Sequence, residues 1–195
     1  MAGVLLTLVL AIGSSAADAP PMKLPIGAVR PAMHVHLLDG TPGPAWSDLK
    51  GNVVVLDFWA AWCPPCVGAI PKMNAIEEEL AHERVRFFAV TYEPRAKAKA
   101  FLAEHPMKAT VATDDDLSTF TSFAAWGIPM IYILDAEGRV AAVVHPNNLT
   151  ADVIRAVIAG KIPDVEQHPG WDDPAGAAKY FREQLELDRA KYGRE

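Results

Sequence analysis

The stretch Val53-Val54-Val55-Leu56-Asp57-Phe58-Trp59-Ala60-Ala61-Trp62-Cys63-Pro64-Pro65-Cys66 decides the fold of this chain. Its first seven residues are apolar at every position but Asp57, which is the pattern of a central strand covered on both faces. The last four hold both cysteines of the sequence, two residues apart. Two thiols at that spacing at the start of a helix close a disulfide within the allowed Cα separation without backbone movement. Strand, tight turn and dithiol together predict a centre that carries two electrons reversibly.

Outward from this stretch, helical and strand patterns alternate. Val67, Ile70, Met73, Ile76 and Leu80 recur at helical spacing, with Pro71 inside the helix, where it removes one backbone donor and is expected to kink it. Residues 85–91 read as the next buried strand, 96–104 as a helix, 109–112 as a short strand and 117–126 as another helix. Gly127-Ile128-Pro129 leads into strand 130–134, the turn Asp135-Ala136-Glu137-Gly138 and strand 140–144, a hairpin. Thr150 is placed to cap a last core helix that stops at Gly160. Upstream, residues 33–38 alternate like a strand and 46–51 form a short helical turn. Such alternation predicts an α/β sheet.

With 195 residues, 51% of them hydrophobic, the chain has material for one sizeable core. A formal net charge of −6 and the lack of a clustered basic face exclude nucleic acid as a partner. Residues 4–12 are apolar and precede the small residues Gly13 to Ala19, a signal-peptide pattern with cleavage after Ala19. Met1-Ala2-Gly3 carries no Lys or Arg, so a buried N-terminal helix is the alternative reading. The run is shorter than the roughly 20 residues a membrane span needs. Pro20, Pro21 and Pro25 mark a linker over 20–26. From Lys161 prolines and glycines return, followed by a helical pattern from Ala177 to Tyr192 with Phe181, Leu185 and Tyr192 on one face.

Three features in this order, the 55–66 stretch, Pro71, and Gly127-Ile128-Pro129 before Met130, make the chain resemble the thioredoxin superfamily. Within it, the chain is similar to the TlpA-like extracytoplasmic thiol-disulfide oxidoreductases over residues 27–160. The resemblance implies a thioredoxin-like α/β fold: a central mixed sheet flanked by helices, with an inserted βα segment at 94–113. Beyond the domain, the linker and C-terminal helical extension at 161–195 are read from their own composition and helical pattern and have no counterpart in the family. The resemblance also implies a cis Ile128–Pro129 bond against the dithiol. Trp62, Pro64, Pro65, Ile128 and Pro129 are then expected to line the substrate site. Protein disulfides are the implied substrates, apocytochrome c or copper-site cysteines the implied clients, and a membrane thiol-disulfide donor the recharging partner. A periplasmic or otherwise extracytoplasmic location follows, soluble or N-terminally anchored. Some reductases of the family carry a Glu three residues after the second cysteine; here Ala69 stands there.

The chemistry follows from residue types. Only a thiolate attacks a disulfide, and a helix N-terminus favours it, so Cys63 is expected to be the exposed nucleophile and Cys66 the resolving thiol. Asp57 matches the buried carboxyl of thioredoxins; burial without a cation raises its pKa and suits it to act as base. Pro64 and Pro65 lack N–H groups, so the Cys63 thiolate loses two donors and the centre is expected to be reducing. A disulfide oxidase or isomerase, and a non-catalytic binding module, are the alternative readings. No cofactor or metal is required. Two cysteines and six scattered histidines do not make a structural zinc site, which needs four ligands. His34 and His36 read as surface residues, Asp114 to Asp116 as a helix cap, and the Asn148-Leu149-Thr150 sequon as a capping site.

Overall fold

The computed structural model describes residues 22–170 and 172–193, so the signal-peptide reading of residues 1–19 lies outside the described residues. Strand β2 (Val53–Phe58) occupies the middle of a six-stranded sheet of order β1-β4-β3-β2-β5-β6. It pairs in parallel with β3 (Val85–Thr91), which is parallel to β4 (Thr110–Thr113). On its other side β5 (Met130–Leu134) runs antiparallel and forms a hairpin with β6 (Val140–Val144). The short β1 (His36–Leu37) closes the far edge against β4.

Alternation along β2 distributes its side chains between two packed layers. Val54, Leu56 and Phe58 join one cluster with Phe120, Phe123 and Tyr132. Val53 and Val55 join the other with Ile76, Leu80, Ile131, Ile133 and Ile154. By the same alternation Asp57 faces the second layer. That layer is covered by α2 (Pro64–Glu79) and α5 (Ala151–Ile158). Pro71 sits inside α2 without ending it, and Thr150 Oγ1 accepts the Val153 N–H as the cap of α5. The segment at 94–113 supplies α3 (Arg95–Glu104) and β4. A one-turn helix, α1 (Trp46–Leu49), precedes β2.

Two elements are shorter than the sequence pattern predicts. In place of a helix over 117–126, α4 covers Ser118–Ser122, because Ala124 adopts a left-handed φ of 51° and the Phe123 carbonyl is taken by the Tyr132 hydroxyl. Asp116 Oδ1 and Asp114 Oδ2 accept the Ser118 and Phe120 N–H groups, so these two aspartates do serve the helix start. Instead of a strand over 33–38, β1 spans two residues. The backbone of His34 is spent on the Thr119 hydroxyl, which both accepts from its N–H and donates to its carbonyl. His36 is paired with Asp115 at 3.0 Å.

After α5 the chain does not swing free. His168 donates its N–H to Val143 O, and Gln167 Oε1 accepts the Val143 N–H, so the segment runs along the β6 edge. It then enters α6 (Pro174–Tyr192), capped by Asp173 Oδ1 accepting the Gly176 N–H. Ala177, Ala178, Phe181 and Leu185 bury the inner face of α6 in the first cluster. Phe181 is the anchor, 3% exposed, with ring centroids 5.1 Å from Tyr92, 5.8 Å from Trp126 and 5.9 Å from Phe120. Burial of a side chain of this size contributes about 1.5–3 kcal/mol, and each aromatic pair roughly 0.5–1.5 kcal/mol more. Phe181→Ala is therefore expected to lower the unfolding free energy by about 3–5 kcal/mol in urea denaturation. A loss under about 1 kcal/mol would show that α6 is not part of the cooperative core.

Candidate active site

The dithiol is positioned by what happens where β2 ends. Trp59 N–H still bonds Val90 O at 3.1 Å, and the chain then turns, with Cys63 N–H on Ala60 O at 3.1 Å. Between them the Ala61 N–H is held at 2.6 Å by Oε2 of Glu93, a side chain with no exposed surface. Cys63 becomes the N-cap of α2, with Pro64 and Pro65 as its first two helical residues. Proline is tolerated there because those N–H groups have no intrahelical partner. The Cys66 N–H is the helix's first available donor, and it points at Cys63 Sγ at 3.3 Å. The two cysteines form a disulfide with Cα atoms 5.3 Å apart.

Cys63 is not the exposed side chain expected from the sequence. Its residue surface is 3% exposed and that of Cys66 5%. Both cysteines lie in the packed cluster that takes in Trp59 and Trp126 and, from α6, Ala177, Ala178 and Phe181. Pro64 and Pro65 stay exposed. Trp62 is 38% exposed; its Nε1 donates to the Tyr92 hydroxyl at 2.7 Å, which fixes the indole beside the dithiol.

The Ile128–Pro129 bond is cis. Met130 pairs with Phe58 at the end of β2, so this bond lies at the same end of the sheet as the redox turn. Pro129 is buried and Ile128 half-buried against the cluster that contains both cysteines.

Asp57 lies on β2 between Ala89 of β3 and Ile131 of β5. The residue keeps some exposed surface, but its Oδ1 is buried and has no hydrogen-bond partner among the described residues. Burial pushes its carboxyl up to about 7. It borders a cavity of about 20 Å³, together with Ile70, Met73 and Glu77 of α2. That is room for about one water molecule. Glu77, half-buried in the same cavity wall, is also pushed up to about 7 by burial, against a weaker pull from Lys108. The arrangement leaves a carboxyl of raised pKa against the inner face of α2, the helix that the dithiol opens.

Sequence reading passed over Glu93 and what is tied to it. Lys97 Nζ lies 2.6 Å from Glu93 Oε1 and 2.8 Å from Asp188 Oδ2 of α6. One buried carboxylate thus holds the redox turn and, through one ammonium, the C-terminal helix. The available signal was an acidic residue between an apolar strand and Pro94, with Lys97 four positions on.

Residues 26–143 match the AhpC/TSA family. The chain is 29% identical over 119 residues to the thiol-disulfide oxidoreductase ResA of a Bacillus cereus strain, covering 60% of this chain and 68% of that protein. Among solved structures, a candidate thiol:disulfide interchange protein DsbE from Chlorobium tepidum is similar at TM-score 0.57 and 28% identity, covering 84% of this chain and 96% of the other. DsbF of MTB, whose structure holds mixed oxidized and reduced forms, is similar at TM-score 0.55 and 28% identity, over 65% of this chain and 93% of its own.

The raised Asp57 pKa has a stability consequence with a fixed sign. A carboxyl near 7 when folded and near 4 when unfolded binds more protons in the native state, so stability falls as pH rises from about 4 to 7. Asp57→Asn is free of this cost. Its advantage over the parent in denaturant titrations is expected to grow from pH 4 to pH 8 by up to about 4 kcal/mol; a gap that does not change with pH would mean that Asp57 titrates normally.

The dithiol turn, the cis proline at the same sheet end and the matches over most of the domain agree: the chain belongs to the AhpC/TSA family, and it is a thiol-disulfide oxidoreductase on the thioredoxin fold.

Proposed function

We propose that the chain is a reductant of protein disulfides outside the cytoplasm. The Cys63 thiolate attacks a client disulfide; one client sulfur leaves as thiolate and the other stays bound to Cys63. Cys66 then gives its proton to the Asp57 carboxylate and attacks Cys63 Sγ. The Cys63–Cys66 disulfide forms and the second client sulfur leaves. Two electrons have passed to the client, whose two thiolates take up protons from the solvent while the Cys66 proton rests on Asp57, and a membrane thiol-disulfide donor must return two electrons to the dithiol. Ile128 and Pro129, with Trp62 and the exposed Pro64 and Pro65, line the site where the client chain lies.

The reducing direction rests on one observation. Pro64 and Pro65 leave Cys63 Sγ with the Cys66 N–H, at 3.3 Å, as its donor from the helix start. A thiolate with fewer donors is less stabilised, and oxidising power comes from a stabilised reduced form. The extracytoplasmic placement is supported by the residue 1–19 pattern. Among the described residues no helix is long and apolar enough to cross a membrane. The family resemblance extends the proposal to apocytochrome c or copper-site cysteines as clients.

Equilibration of the protein with glutathione or dithiothreitol buffers tests the direction. A reduction potential near or below about −200 mV is expected, and one near about −120 mV would make the protein an oxidant. If no reversible disulfide formed, the binding-module reading would take its place. In stopped-flow measurements of mixed-disulfide resolution, the rate should inflect near pH 7 with Asp57 present. Asp57→Asn should slow the step by about 100-fold and remove the inflection.

A further inference from the structure

Among the described residues, Tyr180 is the one aromatic residue of α6 beside the dithiol that the core does not use. Its neighbour Phe181 is the buried anchor, and Lys97 pins the helix through Asp188 at 2.8 and 3.0 Å. Arg189 of α6 also donates to the Asp115 carbonyl. Tyr180 itself is 43% exposed and turned over Trp62, with ring centroids 5.6 Å apart and planes at 81°. Trp62 is also held from behind, at 6.2 Å from Phe181 and through its bond to Tyr92. Two rigid aromatic rings standing nearly at right angles, both open to solvent, make an apolar corner one residue from Cys63.

We propose that α6 supplies a wall of the client groove, with Tyr180 as a specificity-determining residue that favours clients carrying an aromatic or branched apolar side chain next to the reacting cysteine. The inference rests on the reading of Cys63 as the attacking thiol. The occupant is the client chain because the corner is continuous with the exposed Pro64 and Pro65 and with the turn that carries Cys63, so any polypeptide joined to Cys63 passes beside it. Exposed apolar patches mark interaction sites, and aromatic rings bind there at low entropic cost. Of the charges beside it on that helix, Lys179 lies 3.9 Å from Glu183.

The test uses the reduced full chain carrying Cys66→Ser, which captures a client on Cys63 without resolving it. The probes are two disulfide-linked peptide dimers of equal charge, with Phe or Gly preceding the cysteine. Attack by Cys63 captures one peptide and releases the other as a thiolate, and mass spectrometry gives the rate of capture. The Phe peptide is expected to be captured about tenfold faster than the Gly peptide. Adding Tyr180→Ala should bring that ratio within about twofold of unity, while Tyr180→Phe should preserve it. A ratio near one in the parent, or one that Tyr180→Ala leaves intact, would overturn the proposal. Capture of neither peptide would instead mean that Cys63 is not the attacking thiol. In sedimentation velocity, a dimer that Tyr180→Ala dissolves would assign the corner to a second copy of the chain and also overturn it.

Discussion

Glu93 is a carboxylate with no exposed surface, and its two oxygens tie together three parts of the molecule that are far apart in sequence. Oε2 takes the Ala61 N–H and a bond from the Thr91 hydroxyl; Oε1 meets Lys97, which in turn meets Asp188. A buried ion is costly unless paired and hydrogen-bonded, and loss of one partner of such a pair typically costs about 3–5 kcal/mol. The redox turn, the start of α3 and the end of α6 therefore hold their relative positions together. Without the Ala61 bond, the residues between the end of β2 and Cys63 would keep the Trp59 and Cys63 backbone bonds and the Trp62–Tyr92 side-chain bond. The β2 strand supplies the direction of the chain, and Glu93 fixes the turn that brings the sulfurs to the sheet end.

Much of this was legible in the residues because the signals are local. An apolar run flanked by a dithiol is both a strand and a helix start, and Asp57 stands out in it as a polar residue with nowhere to go but inward. The Asp135 to Gly138 turn and the Thr150 cap are likewise written within four residues. What was not legible depends on partners far away. Phe181 meets Tyr92 from the opposite end of the domain sequence, and a proline-rich segment before α6 gives no hint that its backbone is spent on β6. The helix expected through Trp126 failed at Ala124, where the Phe123 carbonyl is claimed by Tyr132, a residue of another strand. The exposed Cys63 failed for the same kind of reason, since the cluster that buries it draws on residues from distant parts of the chain.

Asp57 and Glu77 show how one environment serves two carboxyls differently. Both border the same small cavity and both are held near 7 by burial. Asp57 sits on a strand flanked by two others and has no cation to compensate it; Glu77 is half-buried and feels Lys108. A proton accepted by Asp57 is thus retained in an apolar layer, and Glu77 sits on the side of that layer where Lys108 approaches. The shift on Asp57 is the cost of burying a carboxyl with no cation to compensate it, and in the proposed reaction that raised proton affinity suits it to take the proton Cys66 gives up.

The docking of α6 also bears on the direction of electron flow. A helix N-terminus lowers a thiol pKa, but here two effects oppose it at Cys63. Two of the first helical residues have no N–H to offer the sulfur. The sulfur is packed in a cluster of aromatic and aliphatic side chains, and apolar burial raises a thiol pKa. Each of these disfavours the thiolate and hence the reduced form relative to the disulfide. The apolar cluster that encloses the sulfurs and the prolines that open the helix therefore push the same way, and that convergence is the physical basis of the proposed reductant.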